Sequence, residues 1–195
     1  KQKIIESIQN AVEEYESQLE IQRRKTVVHK ISIDKGQIEY KTKGEVPGYL
    51  LNQFSMDEYE DYFRLATTTE IYTRKGNKLD NNVYVLDDKL EIVGKLEAIA
   101  PDERIYSTRF IGDRLYMVTF KRIDPLFVIG LENPEKPEIL GELKIPGYSD
   151  YLHAYDENHI IGIGKETEGN EWGGVSVKGV KLALFDVSDV KNPKQ

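Results

Sequence analysis

The feature that most constrains this chain is a set of short apolar runs that return in a fixed order. Tyr106, Phe110 and Leu115 reappear as Tyr151, Tyr155 and Ile160, each pair 45 residues apart. The runs between them recur too. Val83-Tyr84-Val85-Leu86-Asp87 leads to Leu90-Glu91-Ile92-Val93-Gly94, and Leu126-Phe127-Val128-Ile129-Gly130 leads to Glu138-Ile139-Leu140-Gly141. Leu182-Ala183-Leu184-Phe185-Asp186 then leads to Asn192-Pro193. These runs are β-branched and aromatic and are bounded by Asp, Asn, Gly and Pro, which marks them as strands between turns. One unit therefore holds four strands: A (around Tyr106 and Tyr151), B (after the Gly-Asp or Glu-Asn turn), C (Val-Tyr-Val-Leu and its copies) and D (Ile-Leu-Gly-Glu-Leu).

Successive C strands, measured at Val85, Val128 and Leu184, lie 43 and 56 residues apart. A propeller blade of four strands takes roughly 40–50 residues. The longer spacing is assigned to an insertion between B and C at residues 165–179, and residues 55–61 read as a lengthened A–B turn. Continuous apolar runs of four residues suit strands covered on both faces. A lone four-stranded sheet cannot bury both faces, so such units must stack. The expected fold is all-β with one N-terminal helix: a partial β-propeller of about three four-stranded antiparallel blades. It comprises two complete A-B-C-D units, a leading C-D pair (residues 27–33 and 38–40) and a trailing A-B-C. A stacked array of β-sandwiches is the competing architecture. Exposed blade faces are expected, and with them self-association or membership of a longer chain.

Residues 1–25 form a separate segment, an amphipathic helix ahead of the blades at 26–195. Ile5, Ile8, Val12, Tyr15 and Leu19 recur at alternating spacings of three and four, on one stripe. Glu6, Glu13, Glu14, Glu16 and Glu20 fill the other faces, and Arg23, Arg24 and Lys25 suit the C-terminal end of the helix dipole. The stripe either packs on its own domain or meets a partner helix.

The segments PGYLLNQFSMDEYEDYFRLATTT, NNVYVLDDKLEIVGKLE, RIYSTRFIGDRLYMVTFKRIDPLFVIGL and LKIPGYSDYLHAYDENHIIGIG resemble a prokaryotic and archaeal family of secreted proteins with a C-terminal β-propeller domain, distantly related to WD40 repeats. The resemblance covers residues 26–195 and makes the helix part of a helical insertion in the same domain. It implies an extracellular or cell-surface protein with no assigned reaction, and it supplies no catalytic residues. The Gly-His and Trp-Asp dipeptides of WD40 blades are missing, so WD40 partner rules do not transfer.

With no cysteine, disulfides, thiolate zinc sites and cysteine nucleophiles are excluded. A net charge of −7 argues against a nucleic-acid partner, whose phosphates need a basic face. No run reaches a membrane-spanning length. There is no Gly-x-Ser-x-Gly elbow, phosphate loop or His-Glu-x-x-His. No catalytic residue, metal site or cofactor is therefore assigned.

Four residues stand out as candidate ligand contacts. Trp172, the single tryptophan, sits in a Gly-rich stretch of the B–C insertion, where an aromatic can serve recognition. His153 lies on strand A, which lines the channel of a propeller. Arg109 and Asn52 are expected at comparable positions, giving a polar funnel for an anionic or sugar ligand. Arg104 and Arg114 flank Arg109 and read as salt-bridged surface residues. His29 stands alone, and His159 is expected to close the hairpin near Asp156. Asp57, Glu58, Glu60 and Asp61 read as a solvated acidic turn. The expected function is a non-catalytic extracytoplasmic recognition or scaffolding module for a protein or glycan. The alternative is a hydrolase or sugar-processing propeller with its active site on other blades.

Overall fold

The computed structural model describes residues 2–73, 76–120, 124–169 and 175–195. A helix, α1 (Gln2–Arg23), precedes thirteen strands. β1 (Lys25–Asp34) and β2 (Gln37–Pro47) form a two-stranded sheet. β3 (Met56–Tyr59), β4 (Tyr62–Thr73), β5 (Gly76–Leu86) and β6 (Ile92–Ile99) form a four-stranded sheet in chain order. β7 (Arg104–Ile111), β8 (Arg114–Phe120), β9 (Asp124–Gly130) and β10 (Glu138–Ile145) form the next. β11 (Tyr148–Ala154), β12 (His159–Gly169) and β13 (Val175–Asp186) form a three-stranded sheet. Every pairing is antiparallel. The expected series of a C-D pair, two complete units and an A-B-C set is thus what folds.

The sheets stack face on face, and three apolar layers lie between them. Tyr84, Leu86 and Leu65 of the second sheet meet Val46 of the first. Val83, Val85 and Ala66 meet Leu115, Met117, Phe127 and Ile129 of the third. Tyr116, Val118, Leu126 and Val128 meet Leu152, Ile160, Ala183 and Phe185 of the last. Alternate residues of one C strand therefore serve two different layers, which is why these strands are apolar at every position rather than at every second one. Each large side chain so buried contributes about 1.5–3 kcal/mol.

The outer strands carry a second device. A Cβ on Gly44 of β2 would lie 2.4 Å from the Leu90 carbonyl oxygen, one on Gly94 of β6 1.9 Å from that of Pro134, and one on Gly141 of β10 2.2 Å from that of Val190. In each case the C–D turn of one sheet presses its backbone against the D strand of the sheet before it. Only glycine permits this approach.

Two expectations about loops are corrected. Residues 55–61 are not a long turn. They hold the end of a 3₁₀ turn (Gln53–Ser55), all of β3 and a tight connection at Glu60 and Asp61, because Met56–Tyr59 pairs with Leu65–Tyr62. Nor are the described residues of the 165–179 insertion a loop. β12 and β13 continue their ladder from Lys165↔Val180 to Gly169↔Val175, with one bulge after Glu166. Added length is absorbed as hairpin, since pairing satisfies backbone groups that a loop leaves to solvent.

Polar side chains complete β4 and β5. Thr68 Oγ1 donates to Asn81 Oδ1 at 2.8 Å, and Asn81 Nδ2 donates to the carbonyls of Ile99 and Glu103, both at 3.1 Å. Asn82 Oδ1 accepts from the Ala98 amide at 3.2 Å. These amides take up backbone groups that β6 leaves unpaired where its register with β5 slips.

Helix α1 is uninterrupted by Gly or Pro, and Glu20 pairs with Arg23 and Arg24 at 3.6 and 3.3 Å. None of its residues is buried. Leu19 and Ile21 near its end are half-covered, and the Arg24 guanidinium lies 4.7 Å from the Tyr72 ring of β4. Ile5, Ile8, Val12 and Tyr15 face solvent. Of the two expectations for the stripe, packing on the chain's own sheets holds for the last turns alone.

Candidate functional site

β3, β7 and β11 each begin a sheet; β7 lies beside β11 on one side and beside the 3₁₀ turn that leads into β3 on the other. Hydroxyls tie them together. Thr108 Oγ1 donates to the Phe54 carbonyl at 3.0 Å and shares a 2.9 Å contact with Ser55 Oγ, and Ser107 Oγ donates to the Ser149 carbonyl at 2.6 Å. All three hydroxyl side chains, Ser55, Ser107 and Thr108, are buried.

Arg109 of β7 stands at the centre of this row. Its Nε donates to the Leu152 carbonyl of β11 at 2.8 Å. Its guanidinium lies 4.2 Å from the Phe54 ring and 5.2 Å from the Tyr151 ring. The 3₁₀ turn ahead of β3 and the strand β11 thus hold one planar cation by two rings and one N–H, each ring contributing roughly 0.5–2 kcal/mol. No carboxylate among the described residues pairs with Arg109. Every other described arginine has one: Glu20 for Arg23 and Arg24, Asp57 for Arg64, Glu70 for Arg104 and Asp113 for Arg114. The salt-bridged reading of Arg104 and Arg114 thus fits, at 2.8 and 3.8 Å, and Arg109 departs from it.

His153 falls in register with Arg109, since Arg109 pairs with Tyr116 of β8 and His153 with Ile161 of β12. It is exposed, and its ring stacks on Tyr151 with centroids 6.2 Å apart and Nδ1 3.4 Å from the phenol oxygen. The matching position on β3 is Asp57, opposite Arg64, and not Asn52. Asn52 precedes the 3₁₀ turn, where its Oδ1 accepts from the Phe54 amide at 2.9 Å. It orients the Phe54 ring from outside the row. Phe54 and Tyr151 are contacts that the sequence did not point to as part of a site; Tyr151 stood out there only as a member of the strand repeat. Their signal was present as aromatics within a residue or two of the A-strand candidates. Trp172 lies outside the described residues.

The acidic residues of the first hairpin have separate tasks. Asp57 pairs with the buried Arg64, which also donates to the Gly112 carbonyl at 2.6 Å and lies over the Tyr59 and Phe110 rings. Asp57, Glu58 and Asp61 also line a groove of about 440 Å³ between β1 and the second sheet, with His29, Lys30, Asp87 and Asp88. No group of three metal-ligating side chains occurs among the described residues. His159 closes its hairpin as expected, with Nδ1 2.9 Å from Asp156 Oδ1. The Asn158 amide and then the His159 side chain hold the Asp156 carboxyl below its ordinary pKa. Burial, with Glu97 beside it, pushes the Tyr84 phenol up.

No helix among the described residues is long and apolar enough to cross a membrane. An uncharacterised protein of Methanocaldococcus jannaschii is 44% identical over 192 residues, which is 98% of this chain and 29% of that protein. An uncharacterised protein of Archaeoglobus fulgidus is 50% identical over 171 residues, 88% of this chain and 24% of that protein. The chain thus spans 24–29% of the length of these relatives. A family model described as a β-propeller domain matches residues 5–195, so it takes in most of helix α1 as well as all four sheets. Stacked antiparallel sheets, shared strand order and this match agree: the chain belongs to the β-propeller domain family.

Proposed function

We propose that this chain is part of a secreted, non-catalytic propeller of repeated blades that recognises a protein or glycan, and that Arg109 seats an anionic group of that ligand. The observation that carries the reading is the Arg109 guanidinium, set against the Phe54 and Tyr151 rings and anchored on the Leu152 carbonyl, with no carboxylate partner among the described residues. A fixed plane leaves the Nη groups in one geometry, which suits a two-pronged bond to a carboxylate, sulfate or phosphate. Tyr151 and His153 beside it offer ring faces, as sugar and peptide sites do. Secretion rests on the family resemblance of the sequence.

Glycan and peptide arrays probed with the wild-type chain and with Arg109→Lys test this. Hits enriched in uronic, sulfated or acidic members are expected, with at least about tenfold weaker binding for the variant, which keeps the charge and loses the fork. Hits indifferent to charge, or equal for both proteins, overturn the assignment to Arg109. Fractionation of a cell expressing the parent protein, with the chain found in the cytoplasm, overturns secretion.

A further inference from the structure

Where the A–B and C–D turns meet between the second and third sheets, they enclose a cavity of about 190 Å³. Three contacts hold its walls without any ligand. Arg64 Nη1 donates to the Gly112 carbonyl at 2.6 Å, which fixes the β7–β8 turn against the second sheet. The Leu131 amide donates to the Asp113 carbonyl at 2.8 Å, which ties the β9–β10 turn to the same place. Pro134 of that turn rests on Gly94 of β6, where a Cβ would lie 1.9 Å from its carbonyl oxygen. Walls held in this way are preorganised, so an occupant has little to order on entering.

The lining divides by chemistry. Tyr59, 40% exposed, and Tyr62, half-buried, bring two rings. Glu60, Asp113 and Glu132 bring three carboxylates. The cations close by are already matched: Arg64 by Asp57, and Arg114 by Asp113 at 3.8 Å. Glu60 and Glu132 are exposed and have no ion-pair partner among the described residues, so negative charge is in surplus. Arg64 also belongs to the lining. It is 3% exposed, and its Nε is a buried donor with no acceptor among the described residues. Asp113 and Glu132 in turn border a second cavity of about 440 Å³ that reaches to Val190, where Arg114 and Lys136 offset Glu138.

The geometry points to a docking surface for an extended peptide segment of a partner protein, with a Lys or Arg side chain seated in the smaller cavity. Charge complementarity chooses the cation. The tyrosine rings cover the alkyl stem of such a side chain and attract its charged end, which Glu60 and Glu132 then meet. Whole-ligand pockets measure roughly 300–1,000 Å³, so the smaller cavity suits one side chain rather than a free small molecule. The two cavities adjoin through Asp113 and Glu132, so a chain leaving the first passes into the second. A peptide also brings carbonyl oxygens, the acceptor that Arg64 Nε lacks. This surface is separate from Arg109, and its preference for charge is the reverse.

Peptides selected on the 195-residue chain from a displayed library of random short sequences test this. Enrichment of Lys or Arg at one position is expected. Binding of those peptides should weaken at least about tenfold in a double variant, Glu60→Gln with Glu132→Gln, and stay unchanged in Arg109→Lys. Both glutamates are exposed, so the double variant should keep the wild-type circular dichroism and urea midpoint. Basic peptides that bind the double variant as tightly as wild type overturn the inference, as does a selection without basic enrichment. Displacement of the selected peptides by equimolar spermidine also overturns it, since a small polyamine would then be the occupant.

Discussion

Asp186 and Asp156 show how little burial is needed to tune a carboxylate. Asp156 is exposed and Asp186 half-buried, and their pKa values are lowered by local donors: the Ser188 hydroxyl and then its amide for Asp186, the Asn158 amide first for Asp156. A carboxylate with a folded pKa below its unfolded value stabilises fully above the unfolded value, about 3.9, and loses that contribution as pH falls through the folded one. The turns beside β12 and β13 should therefore loosen as acid protonates these carboxylates. The amide signals of Ser188 and Asn158 followed by NMR should titrate with midpoints below 3.8, the ordinary value. Replacing Ser188 with Ala should raise the Asp186 midpoint; midpoints at or above the ordinary value would show that these bonds do not form in solution. The candidate site was partly legible at this scale. Arg109 and His153 were readable because strand register is periodic. Asn52 was misplaced because the A strand of the second sheet begins after a 3₁₀ turn, and nothing in its local composition announces that offset. The pairing of Phe54 and Tyr151 around Arg109 spans 97 positions of chain and depends on how three sheets meet.

Among the elements, strands of type B and C were the most legible, because burial on two faces leaves an unbroken apolar run. The helix was equally clear as a helix, yet its surroundings were not. Periodicity fixes which residues share a stripe and is silent on what covers it. The D strands were read as Gly-Glu-Leu runs without a reason for the glycine, and the reason is tertiary. Gly94→Ala would drive a Cβ into the Pro134 carbonyl at 1.9 Å, and that oxygen belongs to backbone that cannot turn aside. Overpacking of this kind costs roughly 1–3 kcal/mol. Gly36 is the contrast: it has a φ of +84° and nothing within 4 Å, so Gly36→Asn should change little, since Asn tolerates that conformation. Urea denaturation of both variants checks the pair. A Gly94→Ala protein as stable as wild type would mean that the turn and the strand do not touch.

For the molecule as a whole, coverage grades along the stack. The second and third sheets, β3 to β6 and β7 to β10, have apolar layers on both sides; the first and last have one each. Val27, Ile31, Ile33, Ile38 and Tyr40 form the uncovered face at the first end, as Leu182 and Leu184 do at the other. Native-state hydrogen exchange should accordingly be slowest in β4, β5, β8 and β9 and faster in β1, β2 and β13, reflecting separate openings rather than one event. Uniform protection from β1 to β13 would instead indicate a single cooperative unit. The glycines at 44, 94 and 141 bear on a different property of the assembly. Because each turn rests directly on main chain, the pitch between neighbouring sheets is set by contacts with no side chain to compress. How many sheets complete a full circle is then a matter of angle, written at three positions on the rim.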